Sequence, residues 1–214
     1  MSLTTNRIAV ALISLMLLAP GAGAMVLWDQ GTIVPAGPGI PSSNSPGFGG
    51  FVIHSVNDVT VPASGWHVTS ITAFYGGFNS SWTSLTQGYL YVQPKTGALP
   101  TLAPAVVQQP MSCVVDVPLS TLLNQTVYAV TANVNLDLVP GEYWIGIAPT
   151  ASAGINGANR QWPSATVGDP VASYNAPNPW ANIVGNWDSA WIINGEITVP
   201  VETNGWGAIK SLYR

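Results

Sequence analysis

Val134-Asn135-Leu136-Asp137-Leu138-Val139-Pro140-Gly141-Glu142-Tyr143-Trp144-Ile145-Gly146-Ile147 is the stretch whose reading decides the fold class. Val134, Leu136 and Leu138 alternate with Asn135 and Asp137, the period of two that sets one strand face on a core and the other in water. Pro140-Gly141 interrupts the run, because proline presets φ and glycine accepts the positive φ that follows in a type II turn. Tyr143 to Ile147 resumes as an apolar strand. Two strands about a tight turn predict a β-hairpin.

Similar short segments recur on both sides of it. Strands are expected over residues 51–56, 59–61, 66–75, 89–93, 105–108, 112–117, 126–131 and 190–199. Within Trp66-His67-Val68-Thr69-Ser70-Ile71-Thr72-Ala73-Phe74-Tyr75 the apolar set changes parity near Ser70, which predicts a β-bulge or a strand buried on both faces. Residues 31–50, rich in Gly, Pro and Ser, read as a long loop or lead-in arm, and residues 151–186 as long loops without a clean period. Helical patterning is confined to 119–123 and the extreme C-terminus. The expected fold is all-β, an antiparallel β-sandwich or jelly roll of about ten strands over residues 25–199.

Ahead of it, Arg7 precedes an apolar run from Ile8 to Leu18 and then Ala22-Gly23-Ala24. This is the layout of a cleaved secretory signal over residues 1–24, and its apolar core falls short of the roughly 20 residues that span a bilayer. The expected location is secreted or extracellular, with retention at the cell surface an alternative and no transmembrane span in the mature chain. The chain of 214 residues carries 5 Lys and Arg against 9 Asp and Glu, and only 7% of it is charged. Loss of Arg7 leaves 4 basic residues against 9 acidic, a net of −5, which disfavours nucleic acid as a partner. Cys113, the one cysteine, excludes an intramolecular disulfide and reads as a small buried hydrophobe.

Asn57-Asp58-Val59-Thr60-Val61-Pro62, Gly65-Trp66-His67-Val68-Thr69-Ser70-Ile71, Pro140-Gly141-Glu142-Tyr143-Trp144-Ile145 and Asp188-Ser189-Ala190-Trp191 together resemble secreted bacterial β-sandwich domains of uncharacterised function. Val59 stands where such domains tend to carry Phe. The resemblance spans most of the mature chain and implies an extracellular sandwich, with little said about activity. After a linker from Pro200, Trp206-Gly207-Ala208-Ile209-Lys210-Ser211-Leu212-Tyr213-Arg214 looks like short C-terminal tails of some secreted bacterial proteins. As a helix it would set Trp206, Ile209 and Tyr213 on one face beside Lys210 and Arg214, a peptide that a sorting or anchoring factor could read. Residues 200–214 are therefore a linker and recognition tail, with a frayed or docked terminus as the alternative.

Chemistry-bearing patterns are sparse. His54 and His67 read as strand residues and not as bases, no G-x-S-x-G or H-E-x-x-H run occurs, and no catalytic residue is assigned. No cofactor is expected; a structural calcium ion assembled from Asp58, Asp169 and Asp188 is the one weak alternative. Trp66, Trp144 and Trp191 belong to expected strands and read as core, whereas Trp82, Trp162, Trp180 and Trp187 lie among Asn, Ser and Gly, where exposed rings could stack on sugars. The expected function is a non-enzymatic secreted or cell-surface structural or adhesion protein whose partner is an envelope or matrix component. A carbohydrate-binding module is the alternative, with a secreted hydrolase more remote.

Overall fold

The alternation seen in the sequence is realised as strands, and the computed structural model contains no helix among the described residues. Those residues are 24–34, 39–45, 51–77, 85–101, 107–117, 126–150, 160–161, 163–175, 179–182 and 187–198. The strands are β1 (Met25–Asp29), β2 (Ile40–Pro41), β3 (Ser43–Ser45), β4 (Phe51–Val61), β5 (Trp66–Gly77), β6 (Gln87–Pro94), β7 (Val107–Val117) and β8 (Thr126–Leu138). They continue as β9 (Gly141–Pro149), β10 (Arg160–Gln161), β11 (Pro163–Ala165), β12 (Ala172–Asn175), β13 (Ala181–Asn182), β14 (Trp187–Ser189) and β15 (Trp191–Ile197). The main sheet follows the order β1-β15-β5-β8-β7-β6-β9-β4-β12-β13, with β11 and β14 forming a small second sheet.

This antiparallel sheet curls into the two layers of a sandwich, and β7 makes the corner. Its first residues, Val107 to Pro110, pair with β6, and its remainder, Met111 to Val117, pairs with β8. Pro110 falls at the change of partner, where its missing N–H interrupts a ladder that must break anyway. Val68, Ile71, Ala73, Tyr75, Val130 and Trp191 from the β1-β15-β5-β8 layer meet Val59, Val61, Leu90, Tyr143, Ile145 and Ile147 from the β6-β9-β4 layer in one core. The bulge expected near Ser70 is present, as a register shift between Val68 and Ser70 against β8.

The hairpin expected at Pro140-Gly141 does not form. Gly141 does take positive φ, but β8 pairs with β5 and β7 while β9 pairs with β4 and β6. The turn is an arch between layers, because both flanking strands must turn their apolar side chains into the same core from opposite sides. Pairs of strands read as separate merge: 51–56 with 59–61 into β4, 105–108 with 112–117 into β7 from Val107, and the two halves of β8. Residues 31–50, read as an arm, contribute β2 and β3, and the loops read over 151–186 contribute β10 to β13. These strands are two to four residues long, too short to display a period. The possible helix at 119–123 lies outside the described residues, as does the tail with Trp206, Ile209, Lys210, Tyr213 and Arg214.

Candidate functional site

Alternation along β4 and β9 turns Val59 and Ile145 into the core, and so turns Asp58 and Trp144 to the outside of the second layer. Register lines up Asp58, Trp144 and Gln93 across β4, β9 and β6. An outward face carrying a tryptophan would ordinarily meet water. Here it is covered by Trp180, which packs with Val56, Tyr91, Trp144 and Ala172 of β12 in a second apolar cluster, and by the turn at Gly168 and Asp169.

Lys95 follows β6 directly, tied to β9 through its backbone N–H, which donates to Glu142 O at 2.8 Å. From there its side chain reaches back over the Trp144 ring, with Nζ 5.2 Å from the ring centroid. The ammonium donates to Asp58 Oδ2 and stands 2.8 Å from Asp169 Oδ2, with Glu142 Oε2 at 4.0 Å. Burial alone would pull this lysine's pKa down, but the hydrogen bonds and charges of Asp169 and Asp58 outweigh it and hold the pKa above the ordinary lysine value. Asp58 Oδ2 also accepts the Asp169 N–H at 3.2 Å, whereas its Oδ1 is buried with no hydrogen-bond partner among the described residues. The roof can settle on the carboxylate because Gly168 has φ +81°, and a Cβ there would lie 2.5 Å from Asp58 Oδ2.

A second polar network sits on the opposite face of β4, where Asn57 points inward. Asn57 Nδ2 donates to Ser189 O at 2.9 Å, and the Ser189 N–H donates to Asn57 Oδ1 at 3.1 Å. Gln30 Oε1 accepts from Trp28 Nε1 at 3.1 Å and from Trp191 Nε1 at 3.0 Å, while Gln30 Nε2 donates to Asp188 Oδ2 at 2.7 Å. The Val167 N–H donates to that same Asp188 oxygen at 2.7 Å. Asp188 is wholly buried, and burial pushes its carboxyl up to about 6. One short turn, Val167 to Asp169, thus carries an N–H to each of two buried carboxylates on opposite faces of a strand.

Sequence reading named Asp58, Asp169 and Asp188 as a calcium set, and the fold does gather them beneath this turn. It does not build a calcium site: the Lys95 ammonium occupies the position between Asp58 and Asp169, and Asp188 is turned to Gln30 and Val167. Among the described residues no group of three or more His, Cys, Asp or Glu side chains is arranged to hold a metal ion. Lys95 was missed because a lone lysine in Gln93-Pro94-Lys95-Thr96 carries no motif, and its partners are remote in sequence.

The tryptophans divide differently from expectation. Trp66, Trp144 and Trp191 are core, as read. Trp180, proposed for a sugar platform, is only 7% exposed, its ring 5.0 Å from that of Tyr91, because the uncovered face of the second layer requires an apolar roof. Trp187 is half-buried in β14, its carbonyl accepting the Val171 N–H, while Trp82 and Trp162 lie outside the described residues. His67 makes an exposed pair with Asp137 at 2.7 Å, in register across β5 and β8. His54 is buried with neither ring nitrogen hydrogen-bonded among the described residues, and burial lowers its pKa to about 4. Cys113 is buried and its thiol pushed up to about 11, which keeps it protonated and unreactive at neutral pH.

Fold and site together define an all-β sandwich whose outer face is covered and carries one lysine shared between two aspartates. Compared with protein-family models, with curated proteins and with solved structures, the chain matches none. No helix among the described residues is long and apolar enough to cross a membrane.

Proposed function

We propose that this is a non-enzymatic secreted or cell-surface structural or adhesion protein, delivered by its N-terminal signal and retained through its 200–214 tail. One observation carries the reading: the buried polar side chains of the site, Lys95 with Asp58 and Gln30 with Asn57 and Asp188, bond to one another. Lys95 is neutralised by Asp58 and Asp169, and Gln30, Asn57 and Asp188 join β1, β4 and β14 to the roof. Groups spent on each other in this way supply cohesion, which a load-bearing or display domain needs. Catalysis would instead require a nucleophile or base left facing a substrate. The tail's apolar and basic residues, Trp206, Ile209, Lys210, Tyr213 and Arg214, supply the character of an anchoring peptide.

Fractionation of cells expressing the full chain and a chain ending at residue 199 tests this. Retention of the first at the envelope and release of the second into the medium is the expected result. Equal release of both removes the role of the tail, and cytoplasmic recovery of both removes the reading altogether. A glycan array on the secreted form separates the carbohydrate-binding alternative: saturable binding abolished by Trp187→Ala would replace the structural role.

A further inference from the structure

Lys95 and Asp58 are placed to become one covalent unit. The Lys95 amine is in contact with the Asp58 carboxyl, both side chains are about nine-tenths buried, and a second carboxyl, Asp169, stands 2.8 Å from the same nitrogen. The indole of Trp144 walls the group on one side. Asp58 Oδ1 is buried without a hydrogen-bond partner among the described residues, an arrangement that penalises the ionised carboxylate but not an amide carbonyl as strongly. An ordinary structural ion pair does not need the second carboxyl on the nitrogen.

We propose that Lys95 and Asp58 condense into an intramolecular isopeptide bond, with Asp169 carrying the proton. The ion pair already holds every atom required. The ammonium passes one proton to the Asp58 carboxylate, leaving a neutral amine against a carboxylic acid. The amine nitrogen attacks Asp58 Cγ and the C–N bond forms. Asp169 takes a second proton from that nitrogen and delivers it to the departing hydroxyl; the C–O bond breaks, and water leaves. The product is one amide retaining a single N–H, with Asp169 ionised as before, and no oxidant, nucleotide or metal enters. Fixed contact replaces a bimolecular encounter, and exclusion of bulk water opposes the reverse hydrolysis. Asp169 is the carboxyl suited to carry the proton, since its side chain is 39% exposed and keeps its hydration when the cation is consumed.

The bond would brace strands that are not neighbours. Asp58 lies on β4 and Lys95 just beyond β6, with β9 between them, so the link would pass over Trp144 and close 37 residues of chain. With Cys113 as the single cysteine, no disulfide can supply such a brace.

The experiment is intact mass and denaturing trypsin digestion of the full chain after prolonged incubation at neutral pH. The expected mass is one water below that calculated for the observed N-terminus, and trypsin should fail to cut after Lys95 while still cutting after Arg160. Lys95→Arg, which preserves the ion pair but cannot form this link, should restore the full mass. Asp169→Asn should retain the full mass at early times while remaining folded by circular dichroism. Full mass with cleavage after Lys95 in the native-sequence protein overturns the proposal without any variant having to fold. Loss of water with normal cleavage after Lys95 overturns it equally, because the dehydration then lies elsewhere.

Discussion

Leu138 and Gly141, three positions apart, belong to opposite layers of the sandwich: Leu138 is paired with Trp66 of β5 and Gly141 with Val61 of β4. Val61 and Trp66 are themselves the two ends of an arch, so the β4–β5 and β8–β9 turns lie side by side and close the same end of the core. Both crossings thus end in paired strands, Val61 with Gly141 on one layer and Trp66 with Leu138 on the other.

The β4–β5 arch depends on Gly65. Its N–H donates to Pro62 O at 2.8 Å, its φ is +70°, and a Cβ would lie 2.6 Å from Thr198 Oγ1 and 3.0 Å from Leu138 O. Gly65→Ala should therefore destabilise the fold by about 1–3 kcal/mol, from left-handed strain alone, with crowding against the second arch added. Urea unfolding of the two proteins measures it.

Trp180→Ala should cost about 3–5 kcal/mol, the range for truncating a buried large aromatic. The ring roofs Tyr91, Val56 and Trp144, so its loss opens the outer face of the second layer to water. Chemical denaturation gives the size of the loss, and a red shift of tryptophan emission should accompany it as that face becomes wet.

Asp188 should make the protein more stable in mild acid. Its carboxyl moves from 3.8 in the unfolded chain to about 6 in the fold, raised first by burial and further by the charge of Asp58, against hydrogen bonds from Val167 and Gln30. The folded state binds the proton over a range where the unfolded state has released it. Stability from this group is present in full below 3.8 and lost as pH rises through about 6. Asp188→Asn should remove that decline and leave the opposing contribution of the buried His54 unbalanced, seen as a Tm that falls more steeply than the parent's as pH drops from about 6 to about 4.

His54 should act in the opposite sense over an overlapping range. Burial lowers its pKa from 6.5 to about 4, so on acidification the unfolded chain takes up a proton that the fold refuses. Its contribution is present above 6.5 and lost as pH falls through about 4. His54→Leu should therefore lose less stability than the parent between neutral pH and pH 4, and combination with Asp188→Asn should leave that interval nearly level.

Local chemistry was legible wherever it was strong enough to decide by itself. Alternation placed the long strands, parity change near Ser70 pointed to a bulge or a strand buried on both faces, and membership of expected strands placed Trp66, Trp144 and Trp191 in the core. Pro140-Gly141 was legible as a turn but not as an arch, because turn chemistry reports the reversal of the chain and not which partner each strand takes afterwards. Trp180 looked exposed since its neighbours in sequence are Asn, Pro and Ala, whereas its neighbours in space are Tyr91 and Trp144.

By itself, then, the sequence determined an all-β chain, with strands at the positions where the period of two is sustained, because face alternation is a property of each strand alone. Only the tertiary structure decided that β8 and β9 lie in different layers, that Trp180 covers the outer face, and that Lys95 meets Asp58 and Asp169. Those outcomes depend on which surfaces remain apolar or charged once the sheet has curled. No local window of sequence contains that quantity.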